Sequence, residues 1–507
     1  MKAQANSVDG ILRRSAARTP ATAALHFQDR SWSYRELDDA VTAVAGWLLA
    51  RGLSRGAHVA AYGTNSDAYV IGFLACARAG LVHVPINYAL KGEELSYLLI
   101  QSEAQAVLVD PDLAANLEAV RADIAAATVL ALRGGESLLE ASRGPAPEPA
   151  AMESFGAAGD DDLMQLLYTS GTTSRPKGAM LTHGALICEY ISCVTALDLA
   201  AGDQPLICMP LYHSAGMHCF MLPYLAVGAT ITLLPGPDIP EILRRVEAER
   251  IGSLFLAPTV WVPLAGHPDL ESRDLSSLKK AQYGASIMPV TVLNRLRERY
   301  PDLGFYNCFG QSEIAPLATV LRPEEHAERP SSCGRAVMFV ETRVVDTQGN
   351  DVAPGEQGEI LYRSPQLCQG YWKKPEATEE AFRGGWFHSG DLVVQDEAGY
   401  ITVVDRIKDV INTGGILVAS REVEDAIYKH DAVAEVAVIG APDERWIEAV
   451  TAFVVCKPDA DLSEDQLIAH VREHLARFKL PKRVIFVDEL PRNQSGKLLK
   501  RELRQAL

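Results

Sequence analysis

Hydroxyls, small residues and two cations crowd Tyr168-Thr169-Ser170-Gly171-Thr172-Thr173-Ser174-Arg175-Pro176-Lys177-Gly178. These residue types suit the holding of a polyphosphate. Small residues let backbone N–H groups turn inward as an anion nest, while Thr169, Ser170, Thr172 and Thr173 place hydroxyl donors around Gly171. Arg175 and Lys177 would neutralise the bound charge. Leu163 to Tyr168 read as a buried strand that delivers the chain into this bend. No Gly-Lys-Ser/Thr follows a glycine at the required spacing, which excludes the common P-loop. In isolation, an ordinary Ser/Thr-rich surface loop has the same composition.

Three later segments change that balance. Phe309-Gly310-Gln311-Ser312-Glu313 combines an aromatic ring, a flexible backbone point and a carboxylate, with Tyr283-Gly284-Ala285-Ser286 upstream of it. Gly385-Trp386-Phe387-His388-Ser389-Gly390-Asp391 and the following Asp405-Arg406 supply a carboxylate and a guanidinium. Pro491-Arg492-Asn493-Gln494-Ser495-Gly496-Lys497 puts a lysine after a tight turn near the last residue. Taken singly, Glu313 reads as a solvated acid and Lys497 as a solvated lysine.

In this order and spacing, together with Gly178-Ala179-Met180-Leu181-Thr182-His183, the segments resemble the adenylate-forming superfamily of acyl-CoA and aryl-CoA ligases, luciferases and peptide-synthetase adenylation domains. The resemblance spans essentially the whole chain. It implies ATP, or an acyl-AMP formed from it, as the bound nucleotide, with Mg²⁺ and with CoA as co-substrate. By the same resemblance, Thr169, Ser170, Gly171, Thr172, Thr173 and Lys177 bind phosphate. Gly284, Ala285, Phe309, Gly310 and Ser312 line the adenosine, Asp391 and Arg406 take the ribose, and Glu313 carries the magnesium. One carboxylate plus phosphate oxygens is an ordinary site for that hard, strongly hydrated ion. Lys497 corresponds to the mobile catalytic lysine, Lys408 to the hinge of the C-terminal domain, and Gly414-Gly415 to the lining of a pantetheine tunnel. His213 corresponds to a histidine at the acyl-pocket wall. From the residues alone, a core histidine and a simple glycine turn are equally good readings of His213 and Gly414-Gly415.

Composition agrees with a soluble enzyme of small substrates. The 507 residues are 48% hydrophobic and 22% charged, enough for at least two well-cored domains. A formal charge of −17 argues against nucleic acid or an anionic membrane as partner. Nine cysteines without a CxxC pair point to reduced thiols and a cytoplasmic setting. The N-terminus has no secretory apolar core, and the longest apolar stretch, 220–234, contains Pro223 and falls short of a membrane span of about 20 residues. No integral membrane segment is expected, and a homodimer is compatible with this reading.

The elements around these sites read as an α/β fold. Residues 31–135 alternate amphipathic helices with short strands such as Val59–Tyr62 and Ala106–Val109, the rhythm of βαβ units in a doubly wound sheet. After Pro330, short strands between Gly, Pro and Asp turns suggest a β-rich subdomain. The expectation is a large N-terminal domain over 1–404 and a small mobile α+β domain over 405–507.

The acyl pocket is expected among 212–217, 256–261 and 306–317. Amino-acid-activating relatives carry an Asp just after the first of these segments, whereas His213-Ser214-Ala215-Gly216 has none, which favours an uncharged apolar acid. The chain departs from the family pattern at several places. Ser174 stands for Gly and Ser312 for Thr, Leu417 and Ser420 stand for Asn and Pro, and Ile447 stands for Gly. The expected activity is an acyl-CoA ligase working through an acyl adenylate. One alternative is an enzyme that mainly carries a preformed adenylate to the thioester, and a second is a non-catalytic scaffold.

Overall fold

The computed structural model describes residues 7–145, 147, 158–169, 175–286, 288–414, 416–443, 445–458, 460–492 and 498–507. Six of the expected site residues, Ser170, Gly171, Thr172, Thr173, Gly415 and Lys497, lie outside the described residues, as does Ser174. The fold is mixed α/β, in two compact units. One unit comprises the described part of 1–171 with Arg175–Glu341 and Arg363–Phe387, and the other comprises Thr342–Tyr362 and His388–Leu507. This division differs from a single cut before Asp405, because residues 342–362 and 388–404 gather with the C-terminal ones. The reason is cross-strand pairing: Asp391 sits opposite Arg406, and the Asp405 carboxylate accepts the Ser420 amide at 2.6 Å.

In the first unit, a six-stranded sheet runs in the order Thr128–Ala131, Ala106–Val109, His58–Tyr62, Val82–Ile86, Leu163–Thr169, Lys177–Thr182. All its pairs are parallel except the last, which is antiparallel. Every residue of His58–Tyr62 and Val82–Ile86 is buried, as expected of parallel strands covered on both faces. The intervening helix Asp67–Ala79 starts where Ser66 Oγ accepts the Tyr69 amide and stops at Gly80, whose φ of +66° few other residues adopt. A second sheet of nine strands runs from Arg335–Ala336 through Leu317–Leu321, Gly304–Gly310, Lys280–Gly284 and Ser253–Leu256 to the N-terminal strands. It is parallel in its middle and antiparallel at both edges.

In the second unit, the expected β-rich subdomain is a four-stranded sheet of Glu341–Val345, Gln357–Arg363, Phe387–Gln395 and Ile401–Arg406. A five-stranded sheet centred on Val433–Asp443 and Ile447–Cys456 follows, with helices Ser420–Ile427 and Glu464–His474 against its apolar face. Among the described residues, no helix is long and apolar enough to cross a membrane. All nine cysteines are free, seven of them buried.

Candidate active site

Two antiparallel strands flank the expected phosphate segment. Leu163–Thr169 enters it and Lys177–Thr182 leaves it, with Thr169 opposite Lys177. Both ends are fixed by aromatic rings. Tyr168 packs so tightly on Gly178 that a Cβ there would lie 3.1 Å from its ring. Tyr97 donates its hydroxyl to Pro176 O at 3.1 Å and lies under the Arg175 guanidinium at 5.0 Å. Strand pairing therefore delivers Thr169 and Lys177 to the two ends of the expected cradle.

The exit strand then pairs with a distant segment. Trp372 N donates to Gly178 O at 2.8 Å, Met180 N to Gly370 O at 2.9 Å and Gln369 N to Met180 O at 2.9 Å. This brings in Tyr371, which the motifs alone did not mark. The Lys177 ammonium lies 5.0 Å from the centre of its ring, and its hydroxyl donates to Glu313 Oε1 at 3.0 Å. Burial, reinforced by the Glu313 charge, raises the Tyr371 phenol well above its ordinary pKa, so it remains a donor. The Cys368 amide holds the Glu313 backbone carbonyl at 2.8 Å.

Glu313 is 7% exposed. Among the described residues, no lysine or arginine pairs with its carboxylate, whose side-chain partners are Tyr371 and, at 3.4 Å, the Gln311 amide nitrogen. The Gln311 carbonyl oxygen is itself buried and accepts no hydrogen bond among the described residues. A buried carboxylate without a cationic partner, beside an unused carbonyl oxygen, is a donor set for a hard divalent cation. The residues present fit magnesium.

The expected adenosine segments lie on adjacent strands. Gly284 is opposite Cys308, and a Cβ on Gly284 would sit 2.3 Å from the Cys308 carbonyl oxygen. Gly310 has φ +154°, and a Cβ there would reach within 2.0 Å of Pro316 O. Ala285 follows with φ +65° and is exposed. Sheet pairing thus sets Gly284-Ala285 beside Phe309-Gly310. Ser312 Oγ lies 3.2 Å from Ser214 Oγ, which draws in the His213 segment. His213 itself is half-buried against the Tyr212 ring, centroids 4.9 Å apart.

Beyond Ser214 the chain forms a π-helix, Ala215–Met221, which the sequence pattern did not foretell. Its buried side is pinned by two polar groups. His218 Nε2 donates to Gln165 Oε1 at 2.9 Å, and its Nδ1 meets the Tyr190 hydroxyl at 2.9 Å. Burial pushes the His218 pKa down to about 3, so the ring is neutral. Glu189 accepts from the Leu317 amide at 3.0 Å, from Gln366 Nε2 at 2.6 Å and from the thiols of Cys193 and Cys219. Burial pushes its pKa up to about 8. Gln165 is on the strand Leu163–Thr169 and Leu317 shortly follows Glu313, so this network ties the π-helix to that strand and to the segment after Glu313.

In the second unit, Arg406 Nε contacts Asp391 Oδ1 at 2.8 Å, and the guanidinium also donates to Ser389 O at 3.1 Å. Asp391 is 3% exposed. Gly390, with φ +71°, makes the turn that presents it. Lys408 is exposed within the short 3₁₀ turn Ile407–Asp409. Gly414, φ +65°, donates its amide to Trp446 O at 2.5 Å, and Ile447 takes φ +66°. A β-branched residue is strained in that conformation, and it occupies a position where the family pattern has glycine.

The family described as AMP-binding enzyme matches residues 12–372, and its C-terminal domain matches residues 422–497. The chain is 38% identical to a feruloyl-CoA synthase of an Amycolatopsis species, over 97% of each chain. The chain belongs to the adenylate-forming, AMP-binding enzyme family. An indoleacetate–CoA ligase of Aromatoleum aromaticum is 34% identical, with 97% of this chain and 96% of that one covered. Among solved structures, the anthranilate CoA ligase AuaEII in complex with anthranoyl-AMP is similar with a TM-score of 0.92 at 27% identity, covering 99% and 98% of the two chains. In this AMP-binding enzyme, Gln311 stood inside a motif segment without a role, while Tyr371 and Glu189 are the residues the motifs did not mark. Only the Trp372–Gly178 strand pairing and the burial of residue 189 identify them, and both are long-range properties.

Proposed function

We propose that the chain joins an uncharged apolar carboxylic acid to CoA through an acyl adenylate, with aromatic acids as its preferred substrates. Its class, an AMP-forming acid–thiol ligase, is that of the full-length relatives. The observation that carries the reading is the convergence of Lys177, Tyr371 and Glu313, which joins the strand leaving the phosphate segment to a carboxylate with no lysine or arginine partner among the described residues.

In the first half-reaction, an oxygen of the acid attacks the α-phosphorus of ATP, and the bond to pyrophosphate breaks as the mixed anhydride forms. Both reactants are anions, so catalysis must clamp them in line. Thr169, Lys177 and the hydroxyls of residues 170, 172 and 173 hold the outer phosphates around Gly171. Lys497 bridges the attacking carboxylate and the α-phosphate as negative charge builds there. Glu313, with the Gln311 carbonyl beside it, would hold Mg²⁺, which when bound supplies positive charge against phosphate oxygens. Gly284, Ala285, Phe309, Gly310 and Ser312 flank the adenosine, while Asp391 and Arg406 bind the ribose hydroxyls.

In the second half-reaction, the thiol sulfur of CoA attacks the acyl carbon, its proton passes to solvent, and AMP leaves with the bonding pair. Gly414 and Gly415 line the pantetheine path. Lys408 is the hinge between a domain over 1–404 and one over 405–507, and its rotation exchanges Lys497 for the thiol path.

His213 and the π-helix support the choice of acid. Ala215, Gly216 and Met217 are apolar, His218 is neutral, and no carboxylate stands in this segment to meet an α-ammonium. The three relatives named above act on feruloyl, indoleacetate and anthranilate groups. A panel of ferulate, indoleacetate, octanoate and phenylalanine, read by CoA thioester formed per ATP consumed, tests the proposal. The aromatic acids are expected to exceed phenylalanine by about a hundredfold in kcat/KM, the scale set by burying an unpaired charge. Phenylalanine as the best substrate would overturn it.

A further inference from the structure

The lysine three residues beyond Lys497 has no part in the chemistry above, yet it is largely enclosed. Lys500 opens the short helix Lys500–Gln505, and its side chain is 14% exposed. Its Nζ donates to Ser420 Oγ at 2.6 Å and lies 2.8 Å from Glu424 Oε1. The Ser420 hydroxyl donates in turn to Asp405 Oδ2 at 2.8 Å, and the Ser420 amide donates to the same oxygen at 2.6 Å. The other oxygen of Asp405 accepts the Arg406 amide at 2.7 Å. One turn after Lys500, Arg504 pairs with Asp409 at 2.7 Å.

Enclosing an ammonium sacrifices solvation, and only close partners offset that. Burial works to lower the Lys500 pKa, but Glu424, Asp405 and Asp409 outweigh it and hold the group charged. The relay depends on Ser420 in particular. The family pattern usually has proline at this position, and proline offers neither an amide hydrogen nor a hydroxyl. In sequence, the relay's members stand on both sides of Lys408, with Asp405 before it and Ser420, Glu424 and Lys500 after it.

We propose that Lys500 is a positioning residue for adenylate formation: through Ser420 and Asp405 it ties the helix that begins three residues after Lys497 to the strand carrying Arg406. A long terminal side chain can clamp two anions only if its backbone is held, and the relay supplies that hold from residues that touch neither substrate. The proposal rests on the reading of Lys497 as the catalytic lysine.

The test compares Lys500→Met, Ser420→Pro and Lys497→Ala with the parent enzyme in two assays, acid-dependent ATP–pyrophosphate exchange and thioester formation from supplied acyl adenylate and CoA. Ser420 is the first residue of the helix Ser420–Ile427, a position where proline suits the backbone, so Ser420→Pro tests the relay even if Lys500→Met fails to fold. Both relay variants are expected to lose at least about tenfold in the kcat of exchange, with the KM for ATP and the thioester rate within about twofold of the parent. Lys500→Arg is expected to recover most of the loss. Equal loss in both assays, or no loss in a folded variant, would overturn the proposal. Unimpaired exchange in Lys497→Ala would instead overturn the underlying assignment of the catalytic lysine, which separates the two failures.

Discussion

Glu313 and Asp391 are carboxylates of nearly equal burial, 7% and 3% exposed, in different units of the molecule, and their partners differ in kind. Glu313 receives a phenol and a weakly placed amide. Asp391 meets the Arg406 guanidinium across a β-ladder. Among the described residues the first has no lysine or arginine partner, a place that an incoming metal can fill. The second is already neutralised as a pair, and such a pair suits an uncharged diol, accepting from its hydroxyls at no further electrostatic cost. The contrast shows that motif carboxylates are distinguished by what their own strands place beside them.

The strongest test of that contrast substitutes both. Glu313→Gln should lower pyrophosphate exchange by about a hundredfold and raise the Mg²⁺ concentration it needs, while the fold persists because Gln still accepts the Tyr371 hydroxyl. Asp391→Asn should leave the Mg²⁺ requirement alone and raise the KM of ATP and of acyl adenylate together, by about tenfold. Titrating Mg²⁺ and nucleotide against each variant separates them. The same Mg²⁺ shift in both would break the distinction.

A smaller effect concerns the network behind Glu313. Glu189 titrates near 8 in the folded chain, above its ordinary 4.5. The folded state therefore holds a proton that the unfolded state has released, and the stability this confers is complete below pH 4.5 and falls as pH rises towards 8. His218 and His83, both lowered to about 3 by burial, act oppositely and have finished doing so above their ordinary 6.5. Between pH 6.5 and 8, stability should thus drop by roughly 2 kcal/mol through Glu189. Thermal unfolding of Glu189→Gln over that window should lack this slope, and melting curves that move in parallel for both proteins would contradict the assignment.

Part of the framework around the candidate site could be read from the residues because it is local, whereas the roles of its residues came from the resemblance. A strand over 163–168 follows from an apolar run ahead of small turn residues, and another over 400–404 from a short run after a Gly-containing turn. Tyr371 could not be read in this way, since it reaches Glu313 through backbone pairing with Gly178 and Met180, almost two hundred positions upstream. The π-helix was hidden for a different reason. Its run of apolar residues fits an α-helix equally well, and the buried contacts of His218 with Gln165 and Tyr190 are tertiary. Ser420 was legible only as a departure from the family pattern. Its partners Asp405 and Lys500, one on either side of it in sequence, meet it only in the fold.

The central claim is that one chain performs both half-reactions, and the most direct measurement runs two mixtures side by side: aromatic acid with ATP, Mg²⁺ and CoA, and the corresponding acyl adenylate with CoA. The first mixture should yield AMP, pyrophosphate and acyl-CoA in equal amounts, at a rate within about tenfold of the second. Thioester from the second mixture alone, or ADP in place of AMP in the first, would contradict the account.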